Sequence, residues 1–318
     1  MKIIGETGRE DIACVYLAEM KPGRYVEFVH SLQPPLPREE KWVLIVSTLY
    51  GCPVGCSICD AGGWYRGKLS SDDILAQVDY LVTRYFPEGC IPVKKFKIQF
   101  ARMGEPSLNP AVLDVLEKLP YMYRAPGLIP SLSTVSPEGT GEFFKQLIEI
   151  KNRFYPGGNF QLQFSIHTTD CLLRDKLIPI KKWDFAAISA YGQEFYRDGD
   201  RKITLNFALA ENSPLSTEVM QYYFDPAIFT IKLTPVNPTL NAIKNEIYNA
   251  VTSEEQASEL PVVKELRMVG YDVIVSIGEL EENKIGSNCG QYVKSFLDSQ
   301  YELDQDAYRY AIHFAGSD

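Results

Sequence analysis

Three cysteines stand within eight residues, Cys52-Pro-Val-Gly-Cys56-Ser-Ile-Cys59. Three thiolates on one short loop can hold three irons of a 4Fe–4S cluster and leave the fourth iron open to another ligand. Gly51 and Gly55 allow the backbone to wrap such a group closely. Structural zinc is the competing reading, but zinc takes four closed ligands, and no fourth Cys or His is near; the histidines are His30, His167 and His313. Cys14, Cys90, Cys171 and Cys289 are scattered, and an odd total of seven in a chain of 318 residues does not suit a secreted disulfide scaffold. A second group of interest is Met103-Gly104-Glu105-Pro106, directly after the strand-like KFKIQF (95–100). Glu105 could accept hydrogen bonds from an ammonium group, and Gly104 permits close backbone approach. Taken alone, these residues could equally form a turn between strand and helix.

The elements that must position these residues follow an alternating pattern. VYLAEM (15–20) and YVEFVH (25–30) flank KPGR and read as a hairpin. The loop QPPLPREE (33–40) looks like a boundary. Strand-like runs then recur at 41–49, 95–100, 128–134, 160–167, 202–209 and 229–236. Between them lie stretches of helical spacing at 71–86, 109–119, 141–154 and 254–269. Ser71 with Asp72 and Asp73, and Asn109 with Pro110, suit helix starts; Pro261 predicts a break in the last helix. Six strands alternating with helices indicate a parallel sheet. Six are too few for a closed eight-stranded barrel, so the expected fold is α/β, an open partial (β/α)6 barrel resembling the TIM type, with its site at the carboxyl ends of the strands. The expected domains are a hairpin extension over 1–40, the barrel over 41–270 and a C-terminal extension over 271–318. A β-like run at 271–277 and a closing helix beyond 292 are expected in that extension.

Composition bounds the function classes. The net charge is −9 and apolar residues make up 45%, values of an ordinary folded protein rather than a disordered or fibrous one. No apolar run is long enough for a membrane span, and MKIIGETGRED carries no secretory signal, so a cytoplasmic protein without membrane attachment is expected. The acidic balance weighs against a chain whose main task is gripping a phosphate backbone.

The cysteine spacing, placed after the first strand of a βα array, resembles that of the radical S-adenosylmethionine (SAM) enzymes, and implies a 4Fe–4S cluster on Cys52, Cys56 and Cys59 with SAM on the open iron. MGEPSLN (103–109) is similar to the MGEPLLN segment of the RlmN/Cfr family, radical SAM methylases of ribosomal RNA adenine. SLSTVSP (131–137), FSIHTTDCLLRDKLIPIKK (164–182), LTPVNP (233–238), NCGQ (288–291) and GRYVEFV (23–29) resemble further family segments in the same order. The resemblance implies SAM contacts at Gly104, Glu105, Ser133, Ser165, His167 and Asn237. It also implies a methyl-carrying thiolate at Cys289 and a proton-accepting carboxylate at Glu27. In the family's mechanism the cysteine takes a methyl group from one SAM. The radical from a second SAM removes hydrogen from it, and the new carbon radical adds to an electron-poor sp² carbon. A base removes the substrate proton, and a second cysteine releases the product by forming a disulfide.

Two departures bear on the substrate. The family's resolving cysteine sits seven residues before the first cluster cysteine, where this chain has Ile45; Cys14, Cys90, Cys171 or an external thiol would have to replace it. The family's N-terminal RNA-binding domain is not matched by the 51 residues before Cys52. The expected acceptor is therefore a small molecule, nucleotide or peptide, with RNA possible but not favoured. The expected electron donor is a flavodoxin or ferredoxin. The alternatives are direct hydrogen abstraction without methyl transfer and an RNA adenine methylase recruited by a partner that supplies the missing binding surface; a non-catalytic cluster protein is disfavoured by the SAM-site residues.

Overall fold

The computed structural model describes residues 1–251, 253–276, 282, 285–286, 291–298 and 313–314. The chain divides into two compact units. One comprises Met1–Pro53, Asp60–Leu132 and Glu279–Asp318, the other Val54–Cys59 and Ser133–Gly278.

In the first unit, β1 (Lys2–Arg9), β2 (Ala13–Lys21) and β3 (Arg24–Ser31) form an antiparallel meander. The expected hairpin is therefore a three-stranded unit; β1 escapes detection because glycines 5 and 8 and polar residues dilute its alternation, and its register shifts between Ile3 and Gly5. β3 pairs antiparallel with β4 (Lys41–Val46), which begins a parallel series with β5 (Lys95–Phe100) and β6 (Leu128–Thr134). Helices α1 (Ser71–Tyr85) and α2 (Ala111–Met122) connect them. The cap of α1 is Ser70, not Ser71: its hydroxyl accepts from Asp73 N at 3.1 Å while the Asp73 carboxylate accepts from Ser70 N at 3.2 Å.

Strand β2 is buried on both faces. Tyr16 stacks on Phe28 at 5.3 Å and meets Tyr80 of α1 on one face. On the other, Ala13 and Val15 pack with Val29, Ile45, Ile285 and Tyr292, the last from α10 (Gln291–Asp298). Burial on both sides, worth roughly 1.5–3 kcal/mol per large apolar side chain, accounts for a strand that reads as a continuous apolar run. The helix expected in the C-terminal extension is α10, and a two-residue strand, β11 (His313–Phe314), pairs with the edge of β1.

In the second unit, β7 (Gln161–Ser165), β8 (Ile203–Leu209), β9 (Phe229–Pro235) and β10 (Val273–Val275) are parallel. Their helices are α3 (Gly141–Phe154), α4 (Cys171–Leu177), α5 (Phe185–Phe195), α6 (Thr217–Tyr223), α7 (Leu240–Lys244), α8 (Glu254–Ser258) and α9 (Pro261–Met268). The break expected at Pro261 is where α9 begins. Strand alternation sorts β7: Leu162 and Phe164 are buried, Phe164 beneath Phe144 of α3 and Tyr191 of α5. Gln161, Gln163 and Ser165 keep partial exposure on the opposite face.

Candidate active site

The cysteines lie on the loop that joins β4 to α1. Its stems form a short ladder: Tyr50 N donates to Gly67 O at 2.9 Å, Arg66 N to Tyr50 O at 2.8 Å and Leu69 N to Thr48 O at 3.2 Å. Asn109 ties both stems, its Nδ2 donating to Thr48 O and to Leu69 O, each at 2.8 Å. The asparagine expected to open a helix thus also closes the cysteine loop, while α2 starts at Ala111. At Cys52 the backbone N–H donates to Ala61 O at 2.6 Å. Gly51 has φ of +73° with the Trp64 carbonyl 3.0 Å from where a Cβ would stand, so the turn there demands glycine.

Cys56 and Cys59 are carried by the second unit, where Cys59 N donates to Cys56 O at 3.1 Å. Three side chains from α7 and its flanks grip this turn. Thr239 Oγ1 donates to Ile58 O at 3.0 Å, Asn241 Nδ2 to Cys59 O at 2.7 Å and Asn245 Nδ2 to Ser57 O at 2.9 Å. Ser57 adds bonds to the Leu177 and Lys176 carbonyls. Sequence reasoning did not reach these clamp residues. Their partners are backbone carbonyls about 180 positions away in the chain, which no local spacing announces. All three cysteines keep partial exposure, and a soft sulfur donor set on a glycine-bearing loop fits an iron–sulfur cluster.

After β5, Gly104 adopts φ of +99°, and a Cβ there would stand 2.5 Å from the Leu49 side chain. Met103 O accepts from Thr48 N and Leu49 N. The close approach expected of this glycine is therefore to the stem of the cysteine loop. Glu105 is buried and caps a single 3₁₀ turn (Pro106–Leu108), its Oε1 accepting from Ser107 N at 3.1 Å and Ser107 Oγ at 2.6 Å.

In the second unit the expected SAM contacts gather at the carboxyl ends of the strands. Ser133 Oγ accepts from Gln163 Nε2 at 3.2 Å, and Ser165 shares that face of β7. His167 follows β7 with φ of +66°, and its Nδ1 accepts from Ala208 N at 3.3 Å. That bond leaves the neutral ring's proton on Nε2. Burial, with the charge of Arg174, lowers the imidazole pKa to about 4, so His167 is a neutral donor near pH 7. Asn237 is half-buried in the loop after β9, where its carbonyl accepts from Thr239 N at 2.8 Å. A residue missed from sequence joins them. Asn206, in register with Ser165, is buried; its Nδ2 reaches Thr234 Oγ1 at 3.3 Å, while its Oδ1 has no hydrogen-bond partner. An orphaned buried acceptor costs roughly 1–3 kcal/mol, and an amine or ammonium donor of a bound ligand would satisfy it. KITLNFAL reads as plain strand, and only register reveals which face its asparagine occupies.

Glu27 and Arg102 are wholly buried, with Arg102 Nη2 at 3.0 Å from Glu27 Oε2 and at 3.0 Å from Gly286 O. Burial pushes the Glu27 carboxyl up, against the opposing pull of Arg102 and of the Tyr292 backbone N–H that donates to it. Cys289 lies outside the described residues. Ile45, at the resolving-cysteine position, belongs to the apolar cluster with Val29, Ile285 and Tyr292. Cys14 occupies the opposite face of β2, across from His30. Strand alternation therefore puts Cys14, one of the possible replacements for the resolving cysteine, on the face of the meander away from Glu27. Burial, with Glu10 and Glu6, also pushes its thiol up to about 12. Cys90 and Cys171 are exposed.

No family model matches the chain. It is 26% identical over 289 residues to a protein of Thermus thermophilus named as a probable dual-specificity RNA methyltransferase RlmN, covering 89% of this chain and 74% of the relative. A Desulfitobacterium hafniense protein of the same name is 26% identical over 84% of this chain and 70% of its own length. The crystal structure of a radical SAM methyltransferase from Sphaerobacter thermophilus superposes with a TM-score of 0.69 at 20% identity, over 92% of this chain and 81% of the other. The chain is thus similar in sequence to the RlmN methyltransferases and in fold to a radical SAM methyltransferase.

Proposed function

We propose that this enzyme carries a 4Fe–4S cluster on Cys52, Cys56 and Cys59, binds SAM, and passes a methyl or methylene unit through Cys289 to an electron-poor sp² carbon. Held by these residues and reduced by a flavodoxin- or ferredoxin-like donor, the cluster and SAM would supply hydrogen-abstracting radical chemistry. The chain's own residues do the rest. Asn109, Thr239, Asn241 and Asn245 hold the backbone that carries the cysteines. Ser133, Ser165, Asn206, the Nε2–H of His167 and Asn237 present alternating donors and acceptors to the amino, carboxylate and adenine groups of SAM, with Gly104 and Glu105 shaping the stretch after β5. Glu27 takes up the proton released by the acceptor carbon: burial disposes its carboxyl to hold a proton, and Arg102 stabilises it once the proton leaves.

The observation that carries this reading is the buried Glu27–Arg102 pair. It binds Gly286 O and the Tyr292 N–H, the backbone on either side of Cys289. The acceptor is a small molecule, nucleotide or peptide bearing such a carbon. RNA is not favoured: of the basic residues in KKWDF, Lys182 is turned inward, with its ammonium on Asp175 and on the Ile178 carbonyl. Lys202 is likewise paired with Asp272. Direct hydrogen abstraction without methyl transfer is the second reading, favoured by the apolar Ile45 and by Cys14 facing away from Glu27.

Protein expressed in SAM-replete cells and purified anaerobically separates these readings by intact mass. A gain of one methyl group, absent from Cys289→Ala, supports transfer through that thiol; an unmodified Cys289 under turnover conditions supports direct abstraction. Formation of 5′-deoxyadenosine from SAM and dithionite, lost in Cys52→Ala, tests the radical chemistry common to both.

A further inference from the structure

On the face of the N-terminal meander opposite Glu27, the ligand atoms of Glu10, Cys14 and His30 all lie within 4.8 Å of one another. We propose that these three side chains form a second metal site, for a zinc-type divalent cation, independent of the cysteine loop. Cys14 and His30 are direct cross-strand neighbours on β2 and β3, and Glu10 stands in the turn that feeds β2. Thiolate, imidazole and carboxylate are together a zinc donor set, and tetrahedral bonds of about 2.0–2.3 Å put such ligand atoms roughly 3–4 Å apart, so a closure of about 1 Å suffices. The His30 ring is fully buried with Nε2 3.4 Å from Glu10 Oε2, and its Nδ1 has no hydrogen-bond partner.

A fourth donor atom, an oxygen, is at hand. The Tyr85 hydroxyl donates to Glu10 Oε2 at 2.6 Å and lies 2.8 Å from His30 Nε2, so it can turn toward the ion or orient a ligand beside it. Burial would raise the Glu10 carboxyl, but the Tyr85 hydroxyl, His30 and the guanidinium groups of Arg84 and Arg38 together hold it below its usual range. The carboxylate is therefore charged in advance. As the metal–sulfur bond forms, the Cys14 thiol loses its proton to solvent, so thiolate and carboxylate neutralise the dication. Glu10 is exposed, which leaves an entry path.

The test begins with the anaerobically purified full chain, incubated with zinc chloride, desalted and analysed for zinc and iron separately. Zinc bound beyond the iron complement, with affinity reduced at least about tenfold in Glu10→Gln, is the expected result. Glu10 lies on an exposed turn, so this variant keeps the fold. Cobalt(II) titrated alone into a Cys52→Ala/Cys56→Ala/Cys59→Ala variant should give a thiolate-to-cobalt charge-transfer band that Cys14→Ser abolishes. Zinc uptake equal in wild type and Glu10→Gln, or a cobalt band that survives Cys14→Ser, overturns the proposal and leaves the radical SAM reading untouched.

Discussion

Single residues in this enzyme do work that their motifs do not advertise. Gly104 sits in a segment whose resemblance points to SAM, yet its left-handed backbone and the 2.5 Å approach to Leu49 already require glycine. Gly104→Ala should cost roughly 1–3 kcal/mol, read as a lower urea midpoint with an unchanged slope. His167 makes a second case. Its folded pKa of about 4 lies below the 6.5 of an exposed histidine, so between those values only the unfolded chain takes up the proton. The stability this group contributes is complete above pH 6.5 and falls as the pH drops toward 4. By pH 5 the loss from His167 should reach about 2 kcal/mol. Urea unfolding at pH 7 and pH 5 checks this, because His167→Gln should remove that part of the pH dependence.

At the scale of elements, the cysteine loop is positioned by asparagines rather than by regular structure. Asn109 holds one carbonyl on each stem, and α7 with its cap holds three more around Cys59. Asn109→Ala removes a donor from both carbonyls, leaving Thr48 O with the Leu69 N–H alone and Leu69 O without the bond that ties the stems, at roughly 1–3 kcal/mol. The expected outcome is a reconstituted protein with markedly less iron and sulfide per chain than wild type, while far-UV circular dichroism stays close to native. Equal iron content in the two proteins would count against the loop-closing role. Both the motif and the spacing of the cysteines are local, so they were legible; the clamp spans the length of the chain and was not.

At the scale of the whole molecule, the N-terminal meander and the C-terminal segment meet in one buried ion pair. Glu27 comes from β3, Arg102 follows β5, and Gly286 and Tyr292 lie near the chain's end. Arg102→Met strands a buried carboxylate and should cost about 3–5 kcal/mol. The double variant Glu27→Gln/Arg102→Met should recover a large part of that loss. Thermal unfolding of the two variants measures the difference, and no recovery in the double variant would show that Arg102 acts through packing alone.

Sequence by itself determined what is periodic or adjacent: the parallel strands from β4 to β9, the break at Pro261, the cysteine trio and the order of segments shared with the RlmN relatives. Hydrophobic period and short spacings are local, and the chain states them residue by residue. Tertiary structure decided what depends on register and on distant partners. It added β1, which glycines disguise, and showed that Gly104 meets Leu49 and that Glu105 caps a turn. It turned Cys14 toward His30 and away from Glu27, because neighbouring positions on a strand point to opposite faces. Asn206 became a candidate ligand group for the same reason: a one-residue difference in register would have buried it elsewhere, and nothing in KITLNFAL records which register the sheet adopts.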